Sequence, residues 1–471
     1  MITGIGAEGK SLAKVGEKVV FTDFALPGDV VDLQVTSSKK RYEEAKVLRY
    51  HTLSPDRTDP FCRHFGLCGG CRWQHLPYSL QLQYKQQQVA DQLQRIGKVS
   101  LPDLLPILGS AQTRFYRNKL EFSFSANRWI TGEEMASGLP VAEKNALGFH
   151  VPGMFDKVFA VDECWLQPEP SNRIRLFLFE YALRHNLSFY HIRNGEGFLR
   201  SLIIRTSSSG EVMVILSFFR EERDNREKLL TALLEEFPEI TSLFYVINPK
   251  GNDTITDQET LLFWGRDHIT EEMEGLKFRI GPKSFFQTNS MQALELYRKV
   301  REFAGLQGDE IVYDLYSGTG TIALFLSRWC RKVVGLEYVV EATEDAWVNA
   351  RANGRENVSF LAGDIRELLT PGLFAREGRP SVIITDPPRS GMHPDVVRAI
   401  VEASPGKIVY VSCNPATQAR DLALAGEHYR VDRVQPVDMF PHTHHVENIV
   451  LLVRREDPSP NPQAPEEDPL R

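Results

Sequence analysis

The spacing of apolar and polar residues changes several times along the chain. Residues 1–54 alternate apolar and polar positions around turn residues, which predicts a small β-barrel. Residues 79–97 follow a helical period with no Gly or Pro until the last position, and predict a long helix. Strand-like runs then dominate, with helical stretches near 171–186 and 222–236, as expected for a mixed α+β domain.

Apolar strands and helix-length segments alternate after residue 281. This order predicts a doubly wound, Rossmann-like α/β domain with a mostly parallel sheet. Its strand candidates are 311–315, 332–336, 381–385 and 407–411. We therefore expect a multidomain chain whose parts are 1–54, 55–280, 281–455 and a disordered, proline-rich tail at 456–471.

Length and composition agree with this division. A chain of 471 residues exceeds the roughly 250–300 residues at which single cores stop growing. It has no apolar run near the roughly 18–20 residues of a membrane helix, and its start does not resemble a secretory signal. We expect a cytoplasmic protein that does not bind membranes and, by default, a monomer.

The net charge of −7 bears on possible partners, because nucleic-acid binding usually draws on Lys and Arg. Much of the negative charge is local, since the segment beyond Arg455 contains five acidic residues and only one basic residue, Arg471. A basic stretch lies in the predicted barrel, at Lys39, Lys40, Arg41, Lys46 and Arg49. It can bind nucleic acid or only protect an exposed strand edge.

A glycine-rich turn at 314–321, DLYSGTGT, follows the first strand of the α/β domain. Such turns let the backbone approach a ligand at the carboxyl end of a strand, although many are only packing devices. Glu337 and Asp364 end the next two strands, where acids accept hydrogen bonds from ribose hydroxyls. The turn has neither the GxGxxG nor the GxxxxGK[ST] form, so an adenosyl cofactor without phosphates fits better.

Two motifs follow later strands of the same sheet. Asp386 begins DPPRSG, whose two prolines fix the chain where it leaves the sheet beside the predicted cofactor pocket. Related enzymes that methylate exocyclic amines typically have Asn at this position, so Asp386 disfavours that chemistry. Cys413, in SCNP, also stands at a strand end. Its thiolate can add to carbon 6 of uracil and make carbon 5 nucleophilic, whereas a buried structural thiol is the alternative.

This chemistry requires a base that removes the carbon-5 proton so that the cysteine can leave. Glu447, in FPHTHHVEN, is the candidate, because it opens the last apolar strand among three histidines. The histidines match no zinc signature, which favours a role in positioning or RNA contact over metal ligation.

Four other cysteines form a separate set. Cys62, Cys68 and Cys71 lie close together, and Cys164 follows far along the chain. Four thiolates can bind either a zinc ion or a [4Fe–4S] cluster, and the spacing leaves both open. Either group would tie the loop at 55–77 to the central domain.

Together these motifs resemble the RNA 5-methyluridine methyltransferases, specifically the branch that carries an iron–sulfur cluster and acts on 23S ribosomal RNA. The glycine-rich turn, DPPR, SCNP and HVEN occur in the family's order, and the four cysteines match that branch's cluster ligands. The first 54 residues resemble a TRAM domain, an OB-like barrel. The resemblance covers nearly the whole chain. It also implies that the helix at 79–97 packs on the methyltransferase domain although it precedes the central domain, so that domains in space differ from the linear boundaries.

The resemblance implies a class I methyltransferase that uses S-adenosylmethionine to methylate carbon 5 of a uridine flipped out of RNA. It implies Cys413 as nucleophile and Glu447 as base. The cluster ligands that it implies are Cys62, Cys68, Cys71 and Cys164. The S-adenosylmethionine site that it implies consists of Gln287, Tyr316, Gly318, Glu337, Asp364 and Asp386.

The cysteine pattern favours 23S ribosomal RNA as substrate, with transfer RNA as the alternative. A cytosine-5 or amine methyltransferase is disfavoured by Asp386 and by the context of Cys413. A catalytically silent RNA-binding assembly factor predicts the loss of Cys413 or Glu447, and both are present. Phe285 and Phe286 are candidates for stacking on bases, although we expect at least one of them to pack in the core.

Overall fold

The computed structural model describes residues 1–102, 104–140 and 143–455. Within them the strands form one five-stranded sheet, two seven-stranded sheets and a separate hairpin. The tail at 456–471, predicted to be disordered, lies outside the described residues. No helix in the described part of the chain is long and apolar enough to cross a membrane.

Five strands form the N-terminal domain. They are β1 (Gly4–Ile5), β2 (Ser11–Val15), β3 (Lys18–Thr22), β4 (Val30–Ser38) and β5 (Tyr42–Thr52). Their order in the sheet is β1-β2-β3-β5-β4, and only β3 and β5 pair in parallel. The Ile2 amide donates to the Asp29 carbonyl and the Gly28 amide donates to the Ile2 carbonyl. These bonds join opposite edges of the sheet, as in a barrel.

The central domain contains a mixed seven-stranded sheet. Its elements, preceded by helix α1 (Tyr78–Arg95), are β6 (Lys119–Ser125), α2 (Gly132–Ala136), β7 (Ala146–His150), β8 (Val158–Ala160), α3 (Ser171–Arg184), β9 (Leu199–Thr206), β10 (Val212–Phe218), α4 (Arg223–Glu236), β11 (Ile240–Ile247) and β12 (Leu261–Gly265). The strand order is β12-β11-β10-β9-β6-β7-β8. Strands β9 and β10 are buried almost throughout, since both faces of the sheet are covered.

The C-terminal domain follows the hairpin of β13 (Ile269–Met273) and β14 (Leu276–Ile280). Its elements are α5 (Ser290–Ala304), β15 (Ile311–Leu315), α6 (Thr321–Leu326), β16 (Lys332–Glu337), α7 (Val340–Ala352), β17 (Val358–Ala362), α8 (Ile365–Leu368), α9 (Pro371–Glu377), β18 (Val382–Thr385), α10 (Pro394–Ala403), β19 (Lys407–Ser412), α11 (Pro415–Ala425), β20 (Tyr429–Val437) and β21 (Glu447–Arg454). Strands β17-β16-β15-β18-β19 are parallel. Strand β21 pairs antiparallel with β19, and the edge strand β20 pairs antiparallel with β21. This is the Rossmann-like sheet that the sequence pattern predicts.

Two segments that precede residue 281 pack against the C-terminal domain. Helix α1 lies against α11 and buries Val89 and Leu93 in the same core as the parallel sheet. The hairpin β13–β14 lies against α7, where the Arg279 amide donates to Asn349 Oδ1 at 2.8 Å. The linear boundary expected at residue 281 therefore separates segments that pack together in space.

Candidate active site and cysteine cavity

The parallel sheet brings five loops to one edge. Register pairs Leu315 with Leu336 on one side and with Thr385 on the other, and it pairs Thr385 with Tyr410. The loops after β17, β16, β15, β18 and β19 therefore stand side by side at the carboxyl end of the sheet. In that order, the strand ends and their loops carry Asp364, Glu337, Tyr316 with Gly318, Asp386 and Cys413.

The glycine-rich turn is fixed by the acid that ends the next strand. The Gly318 amide donates to Glu337 Oε2 at 2.8 Å, and the Val339 amide donates to Glu337 Oε1 at 2.8 Å. Tyr316 and Gly318 both have positive φ, 62° and 53°. A Cβ atom on Gly318 would have no neighbour within 4 Å, so the backbone of the turn faces open space. A ligand can approach it closely there.

Asp364 is held as a carboxylate at the start of helix α8. It accepts a hydrogen bond from the Arg366 amide at 2.9 Å and forms an ion pair with the Arg366 guanidinium at 2.5 Å. The Arg366 side chain holds the pKa of Asp364 at about 2. The acid is therefore charged at neutral pH.

Gln287 lies in the segment between β14 and α5, away from the sheet edge in sequence. Its carbonyl accepts a hydrogen bond from Asn118 Nδ2 at 2.8 Å, so the central domain holds this segment. Ser284 in the same segment donates to Asp345 on α7 at 2.7 Å. Helix α7 also anchors the glycine-rich turn, because Asn349 Nδ2 donates to the Thr319 carbonyl at 3.1 Å. Helix α7 thus holds both the segment that contains Gln287 and the glycine-rich turn.

Cys413 and Glu447 are brought together by the pairing of β19 with β21. Ser412 pairs with Asn448 in this antiparallel ladder, so Cys413 and Glu447 occupy the next facing positions. The loop of Asp386 closes over the start of α11, since Asn414 Nδ2 donates to the Arg389 carbonyl at 3.1 Å. The structure therefore gathers the two predicted catalytic residues at one end of the sheet.

The charges at this end of the sheet influence one another. Burial raises the pKa of Asp386 to about 7. Burial, together with the Asp386 carboxylate, raises the pKa of Glu447 to about 8. Burial and the Glu447 and Asp386 carboxylates raise the pKa of Cys413 to about 11, and Arg389 acts in the opposite direction on both Cys413 and Glu447. A carboxyl group that exchanges its proton near neutral pH suits general acid–base catalysis.

Two residues near this site have no role in the sequence-based predictions. The charge of Arg389 lowers the pKa of both Cys413 and Glu447, and its position within DPPR was the available signal. Tyr297 is buried on α5, and its phenol pKa is raised by burial and by the Asp386 carboxylate. No motif surrounds Tyr297, and its helical spacing is that of an ordinary core residue.

The two phenylalanines before Gln287 have different environments. Phe286 is buried, with its ring 6.2 Å from that of Phe278. Phe285 leaves 70% of its surface exposed and is free to contact a ligand. The expectation that at least one of them packs in the core is confirmed.

Residues 4–11, GIGAEGKS, have the spacing of a phosphate-binding P-loop. In the structure they connect two antiparallel strands, β1 and β2, whereas a P-loop joins a strand to a helix. Lys10 is paired with Glu44 at 2.6 Å. The segment is therefore a turn of the N-terminal domain and not a nucleotide site.

The four remaining candidate ligands line one small cavity. Cys62, Cys68, Cys71 and Cys164 share it with mostly apolar neighbours that include Phe65, Phe149 and Leu166. Burial raises the pKa of Cys71 to about 12 and that of Cys164 to about 11. No group of three or more His, Cys, Asp or Glu side chains within the described ranges has the arrangement of a single-ion site.

Residues 204–455 match the family described as tRNA (Uracil-5-)-methyltransferase, and residues 1–48 match the TRAM domain. The chain belongs to the RNA uracil-5-methyltransferase family. It is 58% identical over 454 residues to an uncharacterized RNA methyltransferase of Bacteroides thetaiotaomicron, covering 96% of this chain and 100% of that one. A second relative, from Porphyromonas gingivalis, is 55% identical over 460 residues, covering 96% and 99%.

A solved structure resembles this methyltransferase over its whole length. The tRNA (uracil-54, C5)-methyltransferase of Pyrococcus abyssi, in complex with S-adenosyl-L-homocysteine, aligns with a TM-score of 0.74 and 29% identity. The alignment covers 96% of this chain and 99% of that one. The chain is thus an S-adenosylmethionine-dependent RNA methyltransferase of the uracil-5 type, which confirms the predicted TRAM domain and methyltransferase fold.

Proposed function

We propose that this methyltransferase modifies a specific uridine of 23S ribosomal RNA by covalent catalysis, with Cys413 as the nucleophile and Glu447 as the base. We also propose that Cys62, Cys68, Cys71 and Cys164 bind a [4Fe–4S] cluster. The observation that carries the catalytic part is the strand register in which Cys413 stands opposite Glu447, at the same end of the sheet as the glycine-rich turn.

The residues at the sheet edge fit S-adenosylmethionine, which supplies the methyl group when bound. Glu337 and Asp364 would accept hydrogen bonds from the ribose hydroxyls, since both carboxylates are fixed by backbone amides. The open space at Gly318 allows the ligand to lie against the backbone. Gln287, Tyr316 and Asp386 would complete the site.

The remaining steps use side chains of this chain. The Cys413 thiolate forms a bond to carbon 6 of uracil, and the electron pair of the carbon 5–carbon 6 double bond moves toward the carbon-4 carbonyl as an enolate. Arg389 favours the thiolate by its charge. Once carbon 5 carries the methyl group, Glu447 removes its proton, the double bond re-forms and the carbon–sulfur bond breaks.

The cysteine cavity supports a shared inorganic ligand. Thiolates are the common ligands of iron–sulfur clusters, and all four thiols converge on one mostly apolar cavity. A cluster there would join the loop of Cys62, Cys68 and Cys71 to the central domain, which supplies Cys164. The proposed methyl transfer requires no redox chemistry.

Two exposed surfaces support contact with RNA. The basic residues of the N-terminal domain are exposed, and so are Tyr42 and Tyr50 in the same strand, whose rings are of a kind that stacks on bases. Near the cysteine cavity, the Arg114 guanidinium lies 3.9 Å from the ring centroid of Phe61, and Phe115 stands beside Trp165. Aromatic and guanidinium planes of this kind recognise unpaired bases.

The choice of 23S ribosomal RNA rests on the four-cysteine pattern. Transfer RNA is the second candidate, because the Pyrococcus abyssi relative acts on tRNA uracil-54. Incubation with labelled S-adenosylmethionine and unmodified 23S ribosomal RNA or tRNA, followed by nucleoside analysis, separates the two. We expect 5-methyluridine in 23S ribosomal RNA alone. Product in tRNA alone would assign the enzyme to the second candidate.

The cluster has a separate test that does not depend on activity. Anaerobically purified protein should contain about four iron and four sulfide per chain and absorb visible light, as a [4Fe–4S] protein does. A Cys71→Ser variant should lose both signals, whereas Cys330→Ser should keep them because Cys330 lies outside the cavity. Stoichiometric zinc in place of iron would contradict the cluster.

A further inference from the structure

We propose that Tyr78, Gln81 and Lys85 on helix α1 are positioning residues for Glu447. They act on the catalytic loop, defined here as residues 438–446, which joins β20 to β21 and leads directly into Glu447. The inference rests on the proposed roles of Cys413 and Glu447. It assigns a function to a helix that precedes the C-terminal domain by nearly 200 residues.

The start of the catalytic loop is held by a fully buried ion pair. Lys85 Nζ lies 2.6 Å from Asp438 Oδ1, and neither side chain is exposed. Lys85 also donates to the Phe440 carbonyl at 3.1 Å, and the Tyr78 hydroxyl donates to Asp438 Oδ2 at 2.8 Å. Both oxygens of Asp438 are therefore occupied by residues of α1. A buried ion pair contributes little net stability compared with apolar packing, so a role in fixing one conformation explains it better.

The middle of the loop is held by its backbone. The His442 amide donates to Gln81 Oε1 at 2.9 Å, and the His442 carbonyl accepts hydrogen bonds from the Arg72 and Trp73 amides at 2.8 and 3.1 Å. His442 has a φ of 64°, a backbone conformation that residues other than Gly rarely adopt. The same Gln81 donates to the Trp73 carbonyl at 2.9 Å. Gln81 thus connects the segment after Cys71 to the catalytic loop.

The N-terminal domain contacts the end of the loop. Trp73 Nε1 donates to the Gly9 carbonyl at 3.2 Å. A Cβ atom on Gly9 would lie 2.7 Å from His444 Cβ, so the barrel touches the loop three residues before Glu447. Helix α1, residues 72–73 and the turn of Gly9, all outside the C-terminal domain, therefore converge on one loop.

The polar residues of α1 share one helix face. Tyr78, Gln81 and Lys85 are three and four positions apart, and Gln81 and Lys85 are fully buried where an amphipathic helix would carry apolar residues. If this face of α1 served only to bury surface, Leu or Met at these positions would stabilise the fold more than Gln81 and Lys85 do. Its polar groups instead bond to the catalytic loop and to the segment that joins the cysteines to α1.

The test separates attack by Cys413 from proton removal by Glu447. RNA containing 5-fluorouridine has no carbon-5 proton to remove, so a covalent protein–RNA adduct forms whenever the nucleophile works. Ordinary uridine RNA requires the base for release. The variants are Lys85→Met and Tyr78→Phe, and Asp91→Asn is the control, because it removes an exposed ion pair with Arg95 on the same helix. The probes are 23S ribosomal RNA and tRNA transcripts.

With 5-fluorouridine RNA, we expect all variants to form the adduct at rates close to the parent. With uridine RNA, Lys85→Met and Tyr78→Phe should lose kcat by about 10- to 100-fold, with KM little changed, and should accumulate adduct. Asp91→Asn should match the parent. Parallel loss of adduct formation and turnover in Tyr78→Phe, or unchanged turnover in it, overturns the proposal.

Two further measurements keep the outcome clear. If Lys85→Met does not fold, Tyr78→Phe decides, since it keeps the Lys85–Asp438 pair and removes only one hydroxyl. Glu447→Gln in the same assay tests the proposed function itself. If Glu447→Gln turns over uridine RNA without accumulating adduct, the base assignment is wrong rather than the positioning role of α1.

Discussion

The sheet edge and the catalytic loop form two halves of the proposed active site, and they are held in different ways. Glu337 and Asp364 are positioned within their own domain, by amides two to nineteen residues away. The catalytic loop is positioned by Lys85 and Gln81, which are 353 and 361 residues from their partners. The sheet edge is thus encoded locally, whereas the catalytic loop is fixed only after distant segments have docked.

This difference separates binding of the cofactor from completion of the reaction. Changes in the catalytic loop or its supports should leave S-adenosylmethionine binding intact and slow release of the product. Changes at the sheet edge should weaken cofactor binding directly. Four predictions, beginning with the largest effect, test the division.

Cys413→Ala should reduce formation of 5-methyluridine by about 10⁴-fold or more, because the addition to carbon 6 disappears. It should also abolish the covalent adduct with 5-fluorouridine RNA. Cys330→Ala is the matched control, since Cys330 is a buried thiol of the same domain outside both proposed sites. A Cys413→Ala protein as active as the parent would refute the nucleophile assignment.

Cys164→Ser should remove the cluster and, through the segment at Arg72 and Trp73, loosen the catalytic loop. Turnover should fall, by at most about 100-fold. Calorimetry should show S-adenosylmethionine binding close to that of the parent. Iron analysis confirms the loss of the cluster. Equal losses of cofactor binding and turnover would show that the two halves are not separable.

The pH dependence should follow Glu447. The proposed base can accept the carbon-5 proton only as a carboxylate, and burial raises the pKa of Glu447 to about 8, so kcat/KM should rise as pH increases toward that value. Arg389 lowers the pKa of Glu447 and of Cys413, so Arg389→Gln should move the rise to higher pH and reduce kcat/KM several-fold at neutral pH. Arg398→Gln, which removes an exposed arginine paired with Asp395, should leave the profile unchanged. Identical profiles for Arg389→Gln and the parent contradict this coupling.

The smallest effect should come from the N-terminal domain. Gly9 and Gly16 both have positive φ, 74° and 61°, but only Gly9 faces His444, whereas a Cβ atom on Gly16 would meet nothing within 4 Å. Both alanine variants should lower the melting temperature through backbone strain, and Gly9→Ala should lower it further. Only Gly9→Ala should slow turnover, by a few-fold. Equal turnover of the two variants would show that the barrel does not influence the catalytic loop.

The sheet edge, which is held by local contacts, is also the half of the proposed site that can be predicted from the sequence. Glu337, Asp386 and Cys413 each follow a strand of evident apolar pattern, and parallel strands place such ends along one edge. The pairing of Lys85 with Asp438 has no local signal, because a lysine on a glutamine-rich helix indicates a solvated face. The docking of α1 and of the hairpin β13–β14 depends on contacts between distant segments, which the spacing of apolar and polar residues in the sequence does not indicate.

The contact between Gly9 and His444 constrains how the barrel can be inherited. A domain attached by a linker can be exchanged for another RNA-binding module without loss to its neighbour. Here a grafted barrel must present a residue without a side chain where Gly9 stands, and a carbonyl within reach of Trp73. We infer that barrel and catalytic loop evolve as a matched pair, so chimeras of family members should keep full turnover only when both are transferred together.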